Sequence, residues 1–538
     1  MTTMSWAGRT PTVAIVGSGF AGLGMAVRLK QAGVESFTIL EKGAEVGGVW
    51  RDNTYPGCGG DVPSHLYSYS FEKYRSTSQR YPAQREILGY LQQVAEKYGL
   101  RRHLRLNCEV ASARYDESTG TWTVATVGGE RHTVDVVMFG VGQLDRPHVP
   151  DFAGREAFRG VTFHSARWDH DRDLTGRDVA VIGTGSSAAQ LVPQVASQAR
   201  RLYVFQRTPS WVIPKPRERF GSPTRLAFGW FPALQAAYRC GVYLAAEAVL
   251  WPVVVGGWSA SPMKWVARRH LARQVPDPRL RRQLTPDYPI GCKRIVIDSS
   301  FYPALSRPNV ELVTAKIARM TDTGIQTEDG LVHRVDTIVY ATGFRTTEFL
   351  APMEIVGRDG RKLREEWKDG AQAYLGMAVS HFPNLFLLHG PNTILGHNSN
   401  IFMIECQVRY VIECLRVLSN GHRGSLEVRP EAMADYQRRL DRSIRRTVWR
   451  AGCQSWYKTD AGRVTNPWPR STVRYWWSLR QVDRAAFHTV PTRPAAANLS
   501  RSGAPPAAAD AGRLLPAPDT DTPARPAHPD RSATLTRR

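Results

Sequence analysis

Three features are missing from this sequence: paired cysteines, long apolar runs and an N-terminal leader. The seven cysteines of the 538-residue chain stand singly, with no Cys-x-x-Cys pair and an odd total. Such a pattern argues against a disulfide framework, a zinc site and dithiol reductase chemistry, and it favours a reducing compartment. The apolar run Val13–Val16 continues directly into a glycine loop, without the charged leader of an exported protein. We therefore expect a cytoplasmic protein that binds no metal.

The length and the charge of the chain set two further limits. A chain of 538 residues exceeds what one hydrophobic core normally serves, so two or three domains are expected. The formal net charge of +23 would suit nucleic acid, an anionic membrane or a phosphate-bearing ligand. The basic residues are spread out, however, and the clusters at 268–282 and 438–450 have the flanks of solvated helix faces. No nucleic-acid-binding motif accompanies them, so no nucleic acid partner is expected.

A glycine loop between two predicted strands is the first candidate site. The strand Val13–Val16 precedes Gly17-Ser18-Gly19-Phe20-Ala21-Gly22, a predicted helix to about residue 32, and a strand, Phe37–Leu40, that ends at Glu41. In such a βαβ unit the glycines let the backbone approach a pyrophosphate at the helix N-terminus. The terminal acid accepts a hydrogen bond from a ribose 2′-hydroxyl. We predict a dinucleotide site here, with these candidate residues: Gly17, Gly19, Phe20, Gly22 and Glu41.

A second unit repeats the spacing of the first. The strand Asp178–Ile182 precedes Gly183-Thr184-Gly185-Ser186-Ser187, a helix, and a strand over residues 202–206. Arg207 then follows Gly183 by the same number of positions as Glu41 follows Gly17. A carboxylate would repel a 2′-phosphate, whereas a guanidinium holds one bidentately. The first site therefore suits FAD and the second NADPH, unless Arg207 merely closes a strand at the surface. The candidate residues of the second site are Gly183, Gly185, Ser186, Ser187, Arg207 and Thr208.

The segment between the two glycine loops identifies a family. It reads Phe158-x-Gly160-x-x-x-His164-x-x-x-Trp168-Asp169. This spacing is similar, at every fixed position, to the signature of the Baeyer-Villiger monooxygenases, which belong to the flavin-containing monooxygenase group. The resemblance covers about residues 10 to 480. It implies that the segment couples the two cofactor domains, with His164 as a hydrogen-bonded hinge and not as a general base.

The same resemblance implies further site residues. The loop from Gly48 through Trp50 and Tyr55 to Asp61 would run beside the flavin, with Asp61 near the reactive ring. The alternative for Asp61 is a cap on the turn after Gly60. In the second half, Arg294 would be the active-site arginine that Asp61 orients, and Lys293 would add a second contact to the NADPH phosphate. The loop that contains Asn392 would bind cofactor, and the predicted helix at 401–418 would direct its N-terminus at the flavin.

The activity that the resemblance implies is a Baeyer-Villiger oxidation. NADPH reduces FAD, the flavin takes up dioxygen, and a C4a-peroxyflavin attacks a ketone to give an ester or a lactone. Arg294 would stabilise the developing oxyanion. Two alternatives remain. A monooxygenase acting on nitrogen or sulfur would share both cofactor loops and would not need Arg294. A non-oxygenating NADPH oxidase would also tolerate its loss.

These observations predict an α/β fold with two Rossmann-like dinucleotide-binding domains and an inserted helical subdomain. The predicted FAD domain comprises residues 1–150 and 380–490, and the NADPH domain comprises 151–216 and 291–379. A helical insertion is expected at 217–290 and a disordered tail at 491–538. The insertion is rich in apolar residues, but Arg239, Glu247 and two prolines interrupt it. No uncharged run reaches the roughly 18 residues of a transmembrane helix. Weak peripheral membrane contact is therefore an alternative to plain burial.

Overall fold

Two runs rich in valine and isoleucine, at Val13–Val16 and Asp178–Ile182, form strands inside two parallel sheets. A computed structural model describes residues 6, 9–74, 79–216, 219–420 and 424–491. Apart from its first residue, the tail predicted at 491–538 lies outside these residues.

The strands in chain order are β1 (Val13–Val16), β2 (Phe37–Leu40), β3 (Leu104–Arg105), β4 (Val110–Asp116), β5 (Thr121–Thr126), β6 (Arg131–Val134), β7 (Val136–Phe139), β8 (Val161–His164), β9 (Asp178–Ile182), β10 (Arg201–Phe205), β11 (Val212–Ile213), β12 (Val296–Ile297), β13 (Val310–Val313), β14 (Ile317–Thr321), β15 (Gly324–Thr327), β16 (Val332–Arg334), β17 (Thr337–Tyr340), β18 (Glu354–Val356), β19 (Leu385–Leu387), β20 (Gly424–Val428) and β21 (Phe487–Pro491).

The α-helices are α1 (Phe20–Gln31), α2 (Val49–Asp52), α3 (Gln84–Lys97), α4 (Ser186–Ala196), α5 (Ser222–Trp230), α6 (Pro232–Ala245), α7 (Trp251–Val254), α8 (Ala260–Gln274), α9 (Pro278–Gln283), α10 (Phe301–Leu305), α11 (Leu363–Glu366), α12 (Asn400–Asn420), α13 (Pro430–Ile444) and α14 (Thr472–Ser478). A π-helical turn, Ala246–Leu250, joins α6 to α7.

The first parallel sheet has the order β19-β7-β1-β2-β3. All four residues of β1 are buried, as expected for a strand covered on both faces. Helices α1 and α12 pack against each other over this sheet and share one hydrophobic core with it. The second parallel sheet has the order β13-β10-β9-β17-β8, with α4 and α10 packed together beside it. The predicted α/β fold class is confirmed.

The two glycine loops are closed in the same way. Gly17 has φ +97°, and a Cβ placed on it would lie 2.8 Å from the Gly140 carbonyl oxygen. Gly183 has φ +122°, and its Cβ would lie 2.4 Å from the Ala341 carbonyl oxygen. In both sheets, therefore, the chain after the central strand passes so close to the end of the neighbouring strand that only glycine fits.

Local predictions deviate from the structure at a few boundaries. The loop from Gly48 to Asp61 includes the short helix α2, and the helix predicted at 401–418 spans Asn400–Asn420. One disulfide joins Cys292 to Cys453. The sequence did not indicate this pair, because each of the seven cysteines stands alone in the chain. The two residues are separated by 161 positions, so only the tertiary fold brings them together.

The predicted helical insertion is formed by α5 to α9 and the π-helical turn. None of the helices within the described ranges is long and apolar enough to span a bilayer. The metal expectation is not tested by the structure, although Cys108, Glu130 and His132 bring their ligand atoms within 4.8 Å of one another.

Gly160 belongs to the signature segment and directly precedes β8, an edge strand of the second sheet. Its replacement tests how closely the chain is packed at this position. A Cβ at this position would lie 2.4 Å from the Phe158 ring and 2.5 Å from the Asp336 carbonyl oxygen. Because the carbonyl belongs to the backbone, Gly160→Ala should reduce stability by about 1 to 3 kcal/mol. The matched control is Gly452→Ala, outside the helices and strands, where no atom lies within 4 Å of the added carbon. Thermal unfolding, measured at one scan rate, should give a lower midpoint for Gly160→Ala than for the wild type and an unchanged midpoint for the control. A midpoint of Gly160→Ala equal to that of the wild type would refute this packing argument.

Candidate active site

The two parallel sheets, each with its helices, form two halves of the fold. The loop that contains Tyr55, from the half with the first sheet, lies directly on helix α4 of the half with the second sheet. The Tyr55 hydroxyl lies 2.8 Å from Oε1 of Gln190, and Nε2 of Gln190 donates to the Gly59 carbonyl over 3.0 Å. Gly57 has φ +83°, and a Cβ there would lie 2.5 Å from the Gln190 carbonyl oxygen. The predicted cofactor residue Tyr55 is therefore a link between the two halves in this structure.

Arg294 and Asp61 form a second link beside the first. Nη2 of Arg294 lies 2.9 Å from Oδ1 and 2.7 Å from Oδ2 of Asp61, and Nε lies 3.2 Å from Oδ2. The side chains are 26% and 22% exposed, so the pair is shielded and still reachable. The Asp61 carboxylate raises the pKa of Arg294, although burial acts in the opposite direction. The guanidinium therefore stays charged at any pH at which the protein is folded.

Two structural features close to Arg294 in the chain restrict the position of its backbone. Cys292, two residues earlier, is joined by the disulfide to Cys453, and β12 begins two residues later at Val296. The indole Nε1 of Trp449 donates to the Gly291 carbonyl over 3.2 Å. The segment that contains Arg294 is thus attached to residues 449–453 from the C-terminal part of the chain.

Two tyrosines next to the ion pair were not predicted from the sequence. Burial raises the pKa of both Tyr67 and Tyr457 to about 12, and both hydroxyls interact electrostatically with Arg294 and Asp61. The Trp50 indole donates to the Tyr67 hydroxyl over 3.1 Å, which connects the glycine-rich loop to the pair. Tyr457 lies in the aromatic stretch at 449–477, whereas no local signal distinguishes Tyr67 from other tyrosines.

The first glycine loop has the properties of a pyrophosphate cradle. Helix α1 begins after Gly19 without a side-chain cap, so its first N–H groups remain available to an anion. Gly48 has φ +54°, and a Cβ on it would lie 3.2 Å from Cα of Gly19. A Cβ on Gly22 would collide with the Gly17 carbonyl. The Phe20 ring, by contrast, is buried in the core against Tyr67.

Glu41 is buried and already has four hydrogen-bond donors. Its Oε2 accepts from the Ser18 amide and hydroxyl, and its Oε1 accepts from the Gly43 amide and from Arg51. A carboxylate offers about four acceptor positions, so a ribose hydroxyl would have to replace one donor. Arg51 has alternative partners in Asp52 and in the Glu45 carbonyl, which makes it the donor that is released at least cost.

The second glycine loop has the same features. Helix α4 begins after Gly185 without a side-chain cap, and the space around a Cβ on Gly185 is open. Ser186 and Ser187 occupy the first turn of that helix, and Ser187 interacts with the Tyr55 hydroxyl. The carbonyl of Thr208 accepts a hydrogen bond from the Thr184 hydroxyl over 3.2 Å. The backbone here also fits a pyrophosphate.

Two cations, Arg207 and Lys293, stand near the second loop. Burial and the charge of the exposed Arg207 lower the pKa of Lys293, so the two positive groups lie close enough to repel. Lys293 also lies over the Tyr288 ring, with Nζ 4.9 Å from the centroid. No ion pair in the described part of the chain involves Arg207 or Lys293. The Asp287 carboxylate also acts on Lys293, but neither cation is held in an ion pair within the described residues, and two neighbouring cations suit a phosphate group.

The signature segment touches the first half of the fold. Nε2 of His170 lies 2.7 Å from the Thr54 hydroxyl, and Nη1 of Arg167 lies 3.8 Å from Oδ2 of Asp52. Burial lowers the pKa of His164 to about 4, and its Nδ1 accepts a hydrogen bond from the Ala166 amide. His164 is therefore neutral, which is compatible with the predicted hinge.

Asn392 has a structural contact where a cofactor contact was predicted. Its Nδ2 donates to the Val464 carbonyl over 3.1 Å, and its backbone amide donates to the Thr465 carbonyl over 2.7 Å. The side chain thus fastens residues 464–467 to the end of the first sheet. Its role toward a cofactor stays a prediction.

Comparisons with known proteins agree with one another. Residues 10–231 match the family described as flavin-binding monooxygenase-like. A Baeyer-Villiger monooxygenase of Streptomyces coelicolor is 42% identical over 510 residues, which cover 93% of this chain and 96% of that protein. An oxidized steroid monooxygenase bound to NADP is a similar solved structure, with 32% identity, a TM-score of 0.78, and coverage of 89% of this chain and 99% of that chain. OTEMO in complex with FAD and NADP has 27% identity and a TM-score of 0.79, with 89% and 100% covered.

Arg207 offers a test of cofactor choice. If its guanidinium contacts the 2′-phosphate, Arg207→Gln should weaken NADPH binding by about 1.5 to 3 kcal/mol, or roughly ten- to hundredfold. NADH, which lacks that phosphate, should bind almost as before. Arg334→Gln, an exposed arginine in β16, is the control and should change neither affinity. If Arg207→Gln weakened the binding of NADPH and of NADH equally, Arg207 would have no part in the discrimination between the two cofactors.

Proposed function

The chain belongs to the Baeyer-Villiger monooxygenases, flavoenzymes that use FAD, NADPH and dioxygen to convert ketones into esters or lactones, and we propose that its oxygenation site is centred on Arg294 and Asp61. The observation that supports this proposal is the geometry of the pair. Nε and Nη2 of Arg294 bind Asp61, while Nη1 takes no part in that contact. Asp61 therefore holds one side of the guanidinium, and Nη1 remains for a ligand.

The residues of the two glycine loops fit the two cofactors. Gly17, Gly19, Gly22 and Gly48 would hold the FAD pyrophosphate, with Glu41 toward its ribose. The NADPH pyrophosphate would be held by Gly183, Gly185, Ser186 and Ser187, and its 2′-phosphate by Arg207 and Lys293 with Thr208 beside them. When bound, FAD accepts a hydride from NADPH and delivers one atom of dioxygen to the ketone.

In this proposal Arg294 stabilises negative charge on oxygen during the insertion. Preorganised donors of this kind stabilise a transition state because they need no reorientation when charge develops. Asp61 is the positioning residue: three hydrogen bonds limit the rotation of the guanidinium and retain its charge. Loss of Asp61 would leave the cation in place but free to turn away.

Tyr67, Tyr457 and Trp50 would shield the pair from water. The two hydroxyls stay protonated at neutral pH, since burial raises both pKa values to about 12. Tyr457 packs at 5.9 Å from Trp449 and at 4.5 Å from Trp456, measured between ring centroids. Charge interactions are stronger where water is excluded, so this aromatic surround increases the effect of Arg294.

Replacement of Arg294 tests the assignment. We expect Arg294→Ala to lower the rate of ester formation by about 100- to 1000-fold, as for the loss of one oxyanion donor. Arg294→Lys should also be impaired, because an ammonium cannot reproduce the bidentate contact with Asp61. The measurement is stopped-flow reduction by NADPH under anaerobic conditions, followed by oxygen, a ketone panel and product analysis by mass. Arg334→Ala is the control and should retain both half-reactions.

The same experiment separates the alternatives. Flavin reduction that survives in Arg294→Ala while ester formation disappears supports the proposed site. Unchanged ester formation in that variant would refute it. Oxygen transfer to amines or sulfides, with none to ketones in the wild type, would favour the nitrogen- or sulfur-oxygenating alternative. Rapid release of hydrogen peroxide with every ketone would favour the oxidase.

A further inference from the structure

Helix α6 and the π-helical turn after it direct their polar side chains inward. Nη1 of Arg239 donates to the His65 carbonyl over 2.6 Å and lies 2.9 Å from the Ser68 hydroxyl. Glu247 accepts hydrogen bonds from Asn398 and from the Thr472 amide and hydroxyl. The two charged residues of this 19-residue stretch, Pro232–Ala245 with Ala246–Leu250, therefore anchor it to the rest of the protein.

The outward face of the same stretch is apolar. Leu244 is 56% exposed and Leu234 is 46% exposed. The exposed positions recur at helical spacing and include neither a charged side chain nor an amide or hydroxyl: Pro232, Ala233, Leu234, Ala237, Cys240, Gly241, Leu244, Ala245, Ala248 and Val249. This set, here called the α6 face, inverts the usual arrangement of a surface helix, whose charged side is turned to water.

Exposed aromatic rings precede α6 in the chain and recur in the insertion and in helix α14. Trp230 and Phe231, immediately before α6, are 77% and 63% exposed. Further along the insertion, Trp258 and Trp265 are 68% and 60% exposed. Helix α14, whose Thr472 bonds to Glu247, adds Trp477 at 64%. Tryptophan has an apolar ring and a polar N–H, and it is enriched where hydrocarbon meets water.

The exposed charged residues between positions 222 and 276 are all basic. Between residues 222 and 276 the sole acidic residue is Glu247, which is turned inward. The basic side chains in the same range, apart from the anchored Arg239, are Arg225, Lys264, Arg268, Arg269 and Arg273. The Arg269 guanidinium lies 5.3 Å from the Trp265 ring centroid, so one cation is held beside one of the exposed indoles.

We propose that the α6 face and its neighbouring tryptophans dock on an anionic phospholipid bilayer. The apolar stripe would enter the headgroup region, the indoles would lie at its boundary, and the arginines would meet lipid phosphates. The helix would lie in the membrane surface without crossing it, in keeping with the absence of a spanning helix from the described ranges.

A second copy of the chain is a less suitable occupant. A two-fold contact through the α6 face would place the same surface patch on both sides. Both surfaces would then carry Arg225, Arg268, Arg269 and Arg273, and neither would offer Glu247, which is already bound to Thr472. An anionic bilayer supplies the missing negative charge, and a second copy does not.

The test uses the full-length holoenzyme and vesicles. The wild type should sediment with vesicles of equal parts phosphatidylglycerol and phosphatidylcholine, and at least tenfold less with pure phosphatidylcholine or in 0.5 M NaCl. Leu244→Glu should reduce binding to the anionic vesicles at least tenfold, and Trp230→Ser should reduce it severalfold. Val127→Glu is the matched control, since Val127 is 67% exposed on the β5–β6 hairpin and should leave binding unchanged.

Four results decide the outcome. FAD content and thermal midpoint should be the same for Leu244→Glu and the wild type, which shows that the variant is folded. Quenching of tryptophan fluorescence by brominated lipid should occur in the wild type and decline in Trp230→Ser. No sedimentation with anionic vesicles would overturn the proposal. A wild-type dimer that Leu244→Glu converts into a monomer, without vesicle binding, would assign the face to self-association instead.

Discussion

The ion pair between Asp61 and Arg294 connects the two halves of the fold. The residues lie 233 positions apart, and three hydrogen bonds join them. Around them, Tyr55 contacts Gln190, His170 contacts Thr54, and the Cys292–Cys453 disulfide secures the segment before Arg294. These polar contacts, together with the packing of Tyr55 into the hydrophobic core of the second sheet, help to fix the relative position of the two nucleotide sites.

Such a pair is structurally costly when either partner is removed. Partly buried charges lose hydration, and they are stable only while each satisfies the other. A bidentate guanidinium–carboxylate contact also fixes orientation, which a lysine would not do. The same geometry that joins the halves thus keeps a cation oriented beside the proposed oxygenation site, with Tyr67 and Tyr457 as its aromatic surround.

How much of this arrangement the sequence predicts depends on whether each interaction is local in the chain or joins distant residues. The parallel strands and glycine loops are encoded locally by runs such as Val13–Val16 followed by Gly17, so both dinucleotide units were predictable. Arg294 and Asp61 were named through resemblance to a family, since no local pattern relates residues 233 positions apart. Tyr67, the four donors on Glu41 and the disulfide depend on tertiary contacts and were missed. The apolar outer face of α6 was also hidden, because composition does not tell which side of a helix is buried.

The most direct test of the central claim is the fate of NADPH electrons in Asp61→Asn. This substitution keeps the size of the side chain and the charge of Arg294, but it removes the carboxylate that holds the guanidinium. The quantity to measure is the ratio of ester to hydrogen peroxide formed per NADPH consumed, at saturating ketone. We predict that flavin reduction by NADPH persists while the ester fraction falls sharply and peroxide rises. An ester fraction equal to that of the wild type would contradict the claim that Asp61 positions Arg294 for oxygenation.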